Sequence, residues 1–422
     1  MLAGSTQGGA VTVQGTCDPR FAVVSEEFER NLAERGEVGA SVCVTVDGET
    51  VADFWGGVAD PATGRPWERD TIGVVWSCTK GAVALCAHLL ISRGELDLGA
   101  PVTHYWPEFG KGGKEDVTVR VLMSHQAGLA ALREPVPEGG LCDWDLVVEL
   151  LAAQEPLWEP GTRQGYHALT YGHLVGELVR RITGRSLGTF FRDEVAGPLG
   201  LDFWIGLPAE QIPRVAPTIP AEPPGPDDAV PDFYVQAMTD PSSIPGLVLM
   251  NSGGLMFPGA IDSPVVYAAE IPSVNGVANA RALAGMYRPL ALGGAVDGIR
   301  LLDEVTLAEA ARVVSATQID ATLSVPTRWA LGFMKSMDNR HLPGGVEDSA
   351  LLTEDAFGHA GMGGSVGFAD PVARLSFGYS MNKQGAGLGI NRRGQALVDA
   401  VYRTLGYRQP DGGGIWFTSR EG

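Results

Sequence analysis

The sequence predicts a mixed α/β fold of the α+β kind, in which helices flank an antiparallel β-sheet and an all-helical lobe stands beside it. Three observations predict this arrangement. A hairpin pattern lies near the front of the chain, helical periodicity fills the middle, and strand-like segments return before a final helix. Since antiparallel strands from both ends can share one sheet, the simplest fold joins front and back and leaves the middle as a second lobe.

The front of the chain predicts a helix, a hairpin and a second helix. Residues 21–35 carry apolar side chains every three to four positions, the spacing of an amphipathic helix. Residues 40–58 form two strand patterns joined by Asp47-Gly48, a strong hairpin signal. The apolar stretch 77–93 predicts a buried helix that ends at Gly94.

The middle of the chain predicts helices followed by a loop. Helical periodicity continues from residue 94 to about residue 198 and is clearest over 146–154 and 172–184. Seven prolines then fall within residues 213–231. That density predicts an extended loop without a regular element, because proline lacks the N–H that helices and strands use.

The back of the chain returns to mixed structure. Helices are predicted over 280–291, 307–316 and 393–405, and strands over 329–334, 358–359, 365–370 and 375–381. We therefore expect a discontinuous α/β sandwich domain from residues 20–95 and 280–422. The mainly helical lobe would span 96–279, with its proline-rich loop at 213–231, and the cleft between the two is the expected site.

Composition limits the partners and the compartment. The chain has 422 residues, 45% of them hydrophobic, and a net charge of −19, so it can bury a core while its acidic surface repels phosphate backbones and anionic lipids. We expect no nucleic-acid partner and no membrane partner. The N-terminal stretch lacks a signal-peptide pattern, and the five cysteines show no metal spacing. A cytoplasmic protein without metal or cofactor is predicted, and the oligomeric state is left open.

Ser77-Cys78-Thr79-Lys80 forms an SxxK pattern at a predicted helix start. Residues i and i+3 share a helix face, so the Lys80 amine can reach the Ser77 hydroxyl. A hydroxyl becomes a good nucleophile when a neighbouring base takes its proton, and apolar surroundings lower the pKa of a lysine enough for that task. The apolar flanks favour this chemistry over a helix-capping serine with a surface lysine.

Two further serines match catalytic patterns without the context that the chemistry needs. Ser380 and Lys383 form a second SxxK, but they follow a predicted strand, where residues three apart point to opposite faces. Ser365 matches GxSxG, a motif that needs a strand before the serine and a helix after it. Here a glycine-rich turn precedes Ser365 and a strand follows, so structural roles are favoured for both serines.

Tyr166 and His359 are weaker candidates when each is taken alone. Tyr166 follows a Pro-Gly turn and precedes a helical stretch, which suits packing as well as catalysis. His359 precedes a glycine cluster, where backbone amides can approach a ligand. The seven histidines show no metal-binding spacing, and residues 385–389 lack the strand and helix of a dinucleotide loop.

Taken in order, four segments resemble the serine β-lactamase-like hydrolases: WSCTKG, LMSHQAGL, PGTRQGYHALTYGHLVGELVRRITG and GHAGMGG. The chain is similar to the branch that holds family VIII carboxylesterases, beside class C β-lactamases and D-alanyl-D-alanine carboxypeptidases. The resemblance spans about residues 20–405. It implies a β-lactamase/transpeptidase-like fold, with an antiparallel sheet, flanking helices and an all-helical lobe.

The resemblance implies a role for each matching residue. Ser77 would be the acylated nucleophile, Lys80 its partner, and Tyr166 the general base and acid, with the division of labour between Lys80 and Tyr166 left open. The backbone N–H groups of Ser77 and Met362 would form the oxyanion hole. The implied substrate-binding residues are Gln126, Ala168, His359 and Gly361.

Two positions depart from the family pattern. Ala168 stands where the tyrosine motif has asparagine, which removes an amide that contacts acylamino side chains. His359, followed by Ala360 and Gly361, stands where the family has the lysine of Lys-Thr-Gly, which removes a fixed cation for a substrate carboxylate. Both changes disfavour β-lactams and peptidyl-D-alanine and agree with the esterase members.

We therefore predict a serine hydrolase that cleaves carboxylic esters of small to medium acyl groups through an acyl-enzyme on Ser77, with a small-molecule ester as its partner. An acyltransferase or a cyclising thioesterase would use the same acyl-enzyme and is the alternative. β-Lactamase or D-Ala peptidase activity is less favoured, and a non-catalytic binding module is favoured least.

Overall fold

An antiparallel sheet built from both ends of the chain forms the centre of the protein. The computed structural model describes residues 13–225 and 229–418. In chain order the strands are β1 (Val13–Cys17), β2 (Gly39–Val46), β3 (Glu49–Asp60), β4 (Arg65–Pro66), β5 (Ile72–Val74), β6 (Phe203–Trp204), β7 (Val215–Ala216), β8 (Val277–Ala278), β9 (Ala295–Val296), β10 (Ile299–Arg300), β11 (Ser315–Thr317), β12 (Thr327–Trp329), β13 (Met334–Lys335), β14 (Phe357–Ala360), β15 (Val366–Asp370) and β16 (Leu375–Met381). The helices are α1 (Ala22–Glu34), α2 (Thr79–Ser92), α3 (Val119–Met123), α4 (Trp144–Ala153), α5 (Tyr171–Thr183), α6 (Leu187–Phe191), α7 (Gly197–Leu199), α8 (Asp232–Thr239), α9 (Ile244–Met250), α10 (Pro264–Ala268), α11 (Ala280–Ala291), α12 (Glu304–Ala311) and α13 (Arg392–Thr404).

The main sheet joins the front and the back of the chain. Its strand order is β1-β3-β2-β16-β15-β14-β13-β12-β11, with β4 paired to β3. The antiparallel pairing of β2 with β16 sets Val44 opposite Phe377, which confirms the predicted joining. Asp47 and Gly48 have φ values of 51° and 85°, the backbone that a two-residue hairpin turn requires.

Helices cover both faces of this sheet. α11 packs across β2, β15 and β16 on one face, while α1 and α13 cover the other. β16 is buried along its whole length, which explains why its sequence, LSFGYSM, lacks charged residues on both faces.

A smaller sheet and a group of helices complete the fold. α2 packs against α5 and α6, and the small sheet has the order β6-β8-β5-β7. β5 leads directly into the turn that carries Ser77. The sequence does not predict this sheet, because its strands are two or three residues long and depend on pairing between distant segments. In the part of the chain that the structure describes, no helix is long and apolar enough to cross a membrane.

Two predictions near the edge of the main sheet are wrong in detail. The strand expected over 329–334 is a pair of strands, β12 and β13, because Gly332 adopts φ 82° and turns the chain. The helix expected over 307–316 ends at Ala311. Beyond it the Val314 N–H donates to the Trp329 carbonyl, so the following residues join the sheet as β11.

The middle of the chain is less helical than its periodicity predicts. Between residues 94 and 143, α3 is five residues long and 3₁₀ turns and loops make up the remainder. The proline-rich segment begins inside a 3₁₀ helix, Ala209–Arg214, and continues as β7, which pairs in parallel with β5. The prediction of no regular element is therefore wrong at its start. Residues 226–228 of that loop lie outside the described residues, as do residues 1–12, which carry the targeting prediction.

Candidate active site

Ser77 lies in the 3₁₀ turn that leads into α2. Trp76 before it adopts φ 48°, a left-handed backbone that costs roughly 1–2 kcal/mol for a residue with a side chain. The turn is held from outside, since the Val75 N–H donates to the Gly276 carbonyl at 2.8 Å and the Ser365 hydroxyl donates to the Val75 carbonyl at 2.9 Å. These contacts fix the backbone that presents the Ser77 side chain.

The Lys80 Nζ lies 3.1 Å from the Ser77 Oγ, the contact that the helical spacing predicts. The amine also donates to the carbonyls of Ala168 and Ser273, each at 2.8 Å. Carbonyl oxygens can only accept, so these bonds use two N–H groups. In the neutral amine the remaining position is the lone pair, which then faces the Ser77 hydroxyl.

Burial sets the protonation of Lys80. The residue is 0% exposed, and desolvation holds the pKa of its amine well below the usual value of 10.5. In the described chain, no carboxylate counters this effect. The amine can therefore lose its proton at a pH where an ordinary lysine keeps it, which is the property that a base needs.

Tyr166 also flanks the Ser77 hydroxyl. Its phenol interacts with that hydroxyl, and its ring centroid lies 4.7 Å from the Lys80 Nζ. Trp329 stacks on the ring, with centroids 5.0 Å apart and planes 7° apart. Burial raises the pKa of the Tyr166 phenol well above its ordinary value of 10, so the group is a neutral hydroxyl near pH 7.

His359 lies on β14, with its ring centroid 5.9 Å from that of Tyr166. Its Nδ1 is 2.7 Å from the Ala360 carbonyl, and this hydrogen bond assigns the proton to Nδ1 because a carbonyl cannot donate. Burial lowers the pKa of His359 to about 3, so the imidazole is neutral. The position that carries a lysine in the family pattern thus carries a neutral group here.

The end of β14 approaches the Ser77 turn closely. A Cβ at Gly361 would collide with the Val75 carbonyl and the Ser365 hydroxyl, so glycine is required there. Met362, the next residue, lines the cleft together with Ser77. The first turn of a helix leaves its N–H groups without intrahelical acceptors, so the position of Ser77 suits an N–H donor to an oxyanion.

The remaining predicted substrate-binding residues occupy different places. Ala168 contributes its carbonyl to Lys80 and so acts through its backbone. Gln126 is not among the residues that line the cleft, and its side-chain amide donates to the Ser124 Oγ at 2.9 Å. The structure therefore brings Ala168 to the site and leaves Gln126 within its own loop.

A cleft opens beside Ser77. Three charged residues line it, and each has a partner. Arg328 donates to Glu354 at 2.9 Å and Lys335 to the Asp355 carbonyl at 3.3 Å, while Asp348 accepts from the Leu388 N–H at 2.8 Å. Within residues 13–225 and 229–418, no three His, Cys, Asp or Glu side chains converge as metal ligands. Much of the remaining wall is apolar and is formed by Leu323, Val325, Pro326, Met334, Met337 and Leu388.

The two other catalytic patterns have structural roles. The Ser380 hydroxyl donates to the Ala278 carbonyl at 3.4 Å, while Lys383 pairs with Glu222 at 2.6 Å. Serine and lysine therefore have separate partners. Ser365 lies in the turn between β14 and β15, and its hydroxyl supports the Ser77 turn. A strand follows it, which confirms that this GxSxG is no nucleophile elbow.

Three groups at the site are not predicted from the sequence. Trp329 supports the Tyr166 ring, and Asp320 accepts from the Tyr166 N–H at 2.9 Å. Ser273 acts through its carbonyl, which no side-chain pattern can reveal. The sequence can indicate that Asp320 caps the turn that follows it, but its contact with Tyr166 depends on the tertiary fold.

Comparisons with known proteins identify the family. The family model described as Beta-lactamase matches residues 24–400. The esterase/β-lactamase LipL of Mycobacterium tuberculosis is 38% identical over 379 residues, which cover 88% of this chain and 83% of the relative.

Solved structures agree in fold over almost the whole chain. A family VIII carboxylesterase has a TM-score of 0.82 at 38% identity, covering 93% of this chain and 100% of its own. A penicillin-binding protein homologue from Caulobacter crescentus has a TM-score of 0.79 at 36% identity, with coverage of 93% and 100%. The match of sequence, fold and SxxK geometry leads to one conclusion: the chain belongs to the β-lactamase family.

Proposed function

We propose that this protein is a serine hydrolase that cleaves carboxylic esters of small to medium acyl groups through an acyl-enzyme on Ser77. The observation that carries the proposal is the buried Lys80 amine, which two carbonyls hold 3.1 Å from the Ser77 Oγ. The names of two similar proteins, an esterase/β-lactamase and a family VIII carboxylesterase, support the ester as substrate.

In acylation, the Ser77 Oγ attacks the ester carbonyl carbon while its proton passes to the lone pair of Lys80. The N–H groups of Ser77 and Met362 stabilise the oxyanion that forms. When the carbon–oxygen bond to the alcohol breaks, the alkoxide takes a proton from the Tyr166 hydroxyl, and the proton held by Lys80 replaces it. Water then attacks the acyl carbonyl with the same groups in reverse, which releases the acid and restores Ser77.

We assign the base to Lys80 because burial moves the two candidate groups in opposite directions. Desolvation lowers the pKa of the Lys80 amine and so favours the free base. The same effect raises the pKa of the Tyr166 phenol and so disfavours the phenolate. A neutral base beside two neutral hydroxyls avoids burying a charge before the substrate arrives.

A neutral acyl group suits this site better than a charged one. His359 is neutral, Arg328 is paired with Glu354, and the Lys335 amine is turned to the Asp355 carbonyl. A substrate carboxylate would therefore lose its hydration beside Ser77 without gaining the lysine cation of the family pattern. The apolar wall favours an aliphatic acyl chain, at about 0.8 kcal/mol for each buried CH₂ group.

β-Lactam cleavage is the second candidate. A β-lactam can form the same acyl-enzyme, and the Mycobacterium tuberculosis relative is named for both activities. Ala168 and His359 weaken this candidate, because neither supplies the amide or the cation that holds such substrates in the family pattern.

The test is hydrolysis of p-nitrophenyl acetate, butyrate and octanoate, beside a chromogenic cephalosporin, by the wild type, Ser77→Ala and Ser380→Ala. We expect ester turnover by the wild type and Ser380→Ala, its loss in Ser77→Ala, and weak cephalosporin cleavage. A burst of one equivalent with slow turnover would favour acyl transfer, which added alcohols and amines would then reveal. Ester turnover retained by Ser77→Ala would overturn the proposal.

A further inference from the structure

We propose that Asp320 is a positioning residue that fixes Tyr166 against Ser77 and ties it to the wall of the cleft. The inference rests on the proposed ester hydrolysis, since Tyr166 has its role within that chemistry. Asp320 lies in the loop between β11 and β12 and is 1% exposed. A carboxylate buried to this degree must find its hydrogen-bond donors within the protein.

Both carboxylate oxygens of Asp320 are used. Oδ1 accepts from the Tyr166 N–H at 2.9 Å and from the N–H groups of Thr322 and Leu323 at 2.9 and 3.0 Å. Oδ2 accepts from the Thr327 hydroxyl at 3.0 Å. Three donors thus belong to the segment that follows Asp320, residues 321–329, and the fourth is the amide of Tyr166. The carboxylate therefore joins the two segments at Tyr166, beside a backbone hydrogen bond of 3.0 Å from the Ala321 N–H to the Gln164 carbonyl.

The same segment shapes the cleft. Trp329 at its end stacks on the Tyr166 ring, so Tyr166 is held at its backbone by Asp320 and at its ring by Trp329. A displacement of the segment would move the phenol relative to Ser77. The segment also supplies three side chains to the apolar wall: Leu323, Val325 and Pro326.

Tyr166 needs this support because it lies outside regular structure. α5 begins at Tyr171, and between them the Ala168 N–H donates to the Tyr166 carbonyl at 2.9 Å in a tight turn. The chemistry requires the phenol to stay within reach of the Ser77 hydroxyl, and a misplacement of about 1 Å costs roughly 10²-fold in rate. An anchor on the backbone of Tyr166 is therefore an anchor on the reaction.

Asp370 provides a matched control beside α13. It is buried like Asp320, and its Oδ1 accepts from the N–H groups two and three residues on, at 3.1 and 2.9 Å. Its Oδ2 accepts from the hydroxyls of Thr353 and Tyr402 at 2.6 and 3.0 Å. Asp370 is not among the residues that line the cleft. Each aspartate caps its own turn in the same way, and only Asp320 contacts Tyr166.

The experiment measures kcat for p-nitrophenyl butyrate in Asp320→Ala and Asp320→Asn, each made in the wild type and in Tyr166→Phe. In the wild type, Asp320→Ala is expected to lower kcat about 10- to 100-fold. Asp320→Asn should recover most of this loss, because its amide oxygen accepts the same three N–H groups. Tyr166→Phe keeps the backbone N–H and lacks the phenol, so there Asp320→Ala should lower kcat less than about twofold further.

A merely structural aspartate would give a different pattern. Equal losses of kcat in both backgrounds, or an Asp320→Asn variant as impaired as Asp320→Ala, would overturn the proposal. Asp370→Asn is expected to lower the melting temperature and to leave kcat unchanged below that temperature. If Asp320→Ala does not fold, Asp320→Ser takes its place, because a serine hydroxyl can cap its own turn while leaving the Tyr166 N–H without a partner.

The outcome can be separated from that of the proposed function. Ester turnover that does not depend on Ser77 would overturn the proposed function and this inference together. Turnover that depends on Ser77 but shows equal Asp320 effects with and without the phenol would overturn this inference alone.

Discussion

The chain carries the SxxK pattern twice, and the side chains of the two copies make different contacts in the structure. Ser77 and Lys80 lie on one helical turn, with the amine 3.1 Å from the hydroxyl. Ser380 and Lys383 lie at the end of β16, where the hydroxyl donates to a carbonyl and the amine pairs with Glu222 on another segment. The periodicity of the backbone decides which residues meet, so the same letters bring the proposed nucleophile to its proposed base in one place and give two unrelated contacts in the other.

Lys114 shows that burial alone does not make a base. It is 0% exposed like Lys80, but its amine donates to three carbonyls, those of Lys111, Ala152 and Gln154. Three carbonyl acceptors require the three N–H groups of an ammonium. Burial lowers the pKa of Lys114 to about 8, so it stays charged at neutral pH. Lys80 differs because its third partner is a hydroxyl, which can donate.

Replacing the two serines should separate the copies most sharply. Ser77→Ala should lower kcat for p-nitrophenyl esters by roughly 10⁴- to 10⁶-fold, the scale on which a deleted serine nucleophile acts, and Ser380→Ala should stay within about threefold of the wild type. Steady-state assays at one pH measure both effects. Similar activities of the two variants would erase the distinction between the copies.

The lysines should divide in the same way, with a smaller effect. Lys80→Met removes the proposed base and should lower kcat by about 10²- to 10⁴-fold, whereas Lys383→Met should retain activity. Lys114→Met leaves buried carbonyls without donors, at about 1–3 kcal/mol each, so it should lose stability and keep the kcat of its folded fraction. Thermal unfolding and active-site titration of each variant separate these outcomes. A Lys383→Met variant as inactive as Lys80→Met would contradict the comparison.

The dependence on pH should identify Lys80 as the group that titrates. Only the neutral amine accepts the Ser77 proton, so kcat/KM should rise with pH through the pKa of Lys80 and level off below pH 10.5, because desolvation lowers that pKa. The pKa of His359, about 3, places its titration outside a profile measured from pH 5 to 10. A rate that still rises steeply at pH 10 would count against Lys80 as a desolvated base.

The smallest expected effect is on stability. Between the lowered pKa of folded Lys80 and its unfolded value near 10.4, unfolding takes up one proton, so the free energy of unfolding rises with pH by up to about 1.4 kcal/mol per unit. Lys80→Met lacks this dependence on pH, so the free energy of unfolding of the wild type should increase relative to that of the variant as pH rises from 7 to 10. Urea unfolding of both proteins measures this difference in free energy. A difference that does not depend on pH would mean that folded Lys80 keeps its proton.

Strong local patterns predict the parts of the fold that they control. α11 and β16 have the bounds expected from their periodicity, and Asp47-Gly48 forms the expected hairpin turn. The turn at Gly332 and the small sheet around β5 depend on pairings between distant segments, so single-segment patterns miss them.

The site divides along the same line. Helical spacing predicts the contact of Lys80 with Ser77, since three residues separate them. The supports of Tyr166 are not predictable in this way: Asp320 lies 154 residues from it in sequence, and Trp329 farther still. Gln126 shows the opposite case. The family resemblance implies a substrate-binding role for it, but its side-chain amide donates to Ser124 in the same loop.

The most direct test of Lys80 as the base is a titration of lysine side chains by carbon-13 NMR. The chain has five lysines, so each signal can be assigned with one Lys→Met variant. We predict that the Lys80 signal changes from ammonium to amine well below pH 10.5, and that Lys114 titrates near pH 8. A Lys80 signal that remains that of an ammonium above pH 10 would contradict the assignment of the base.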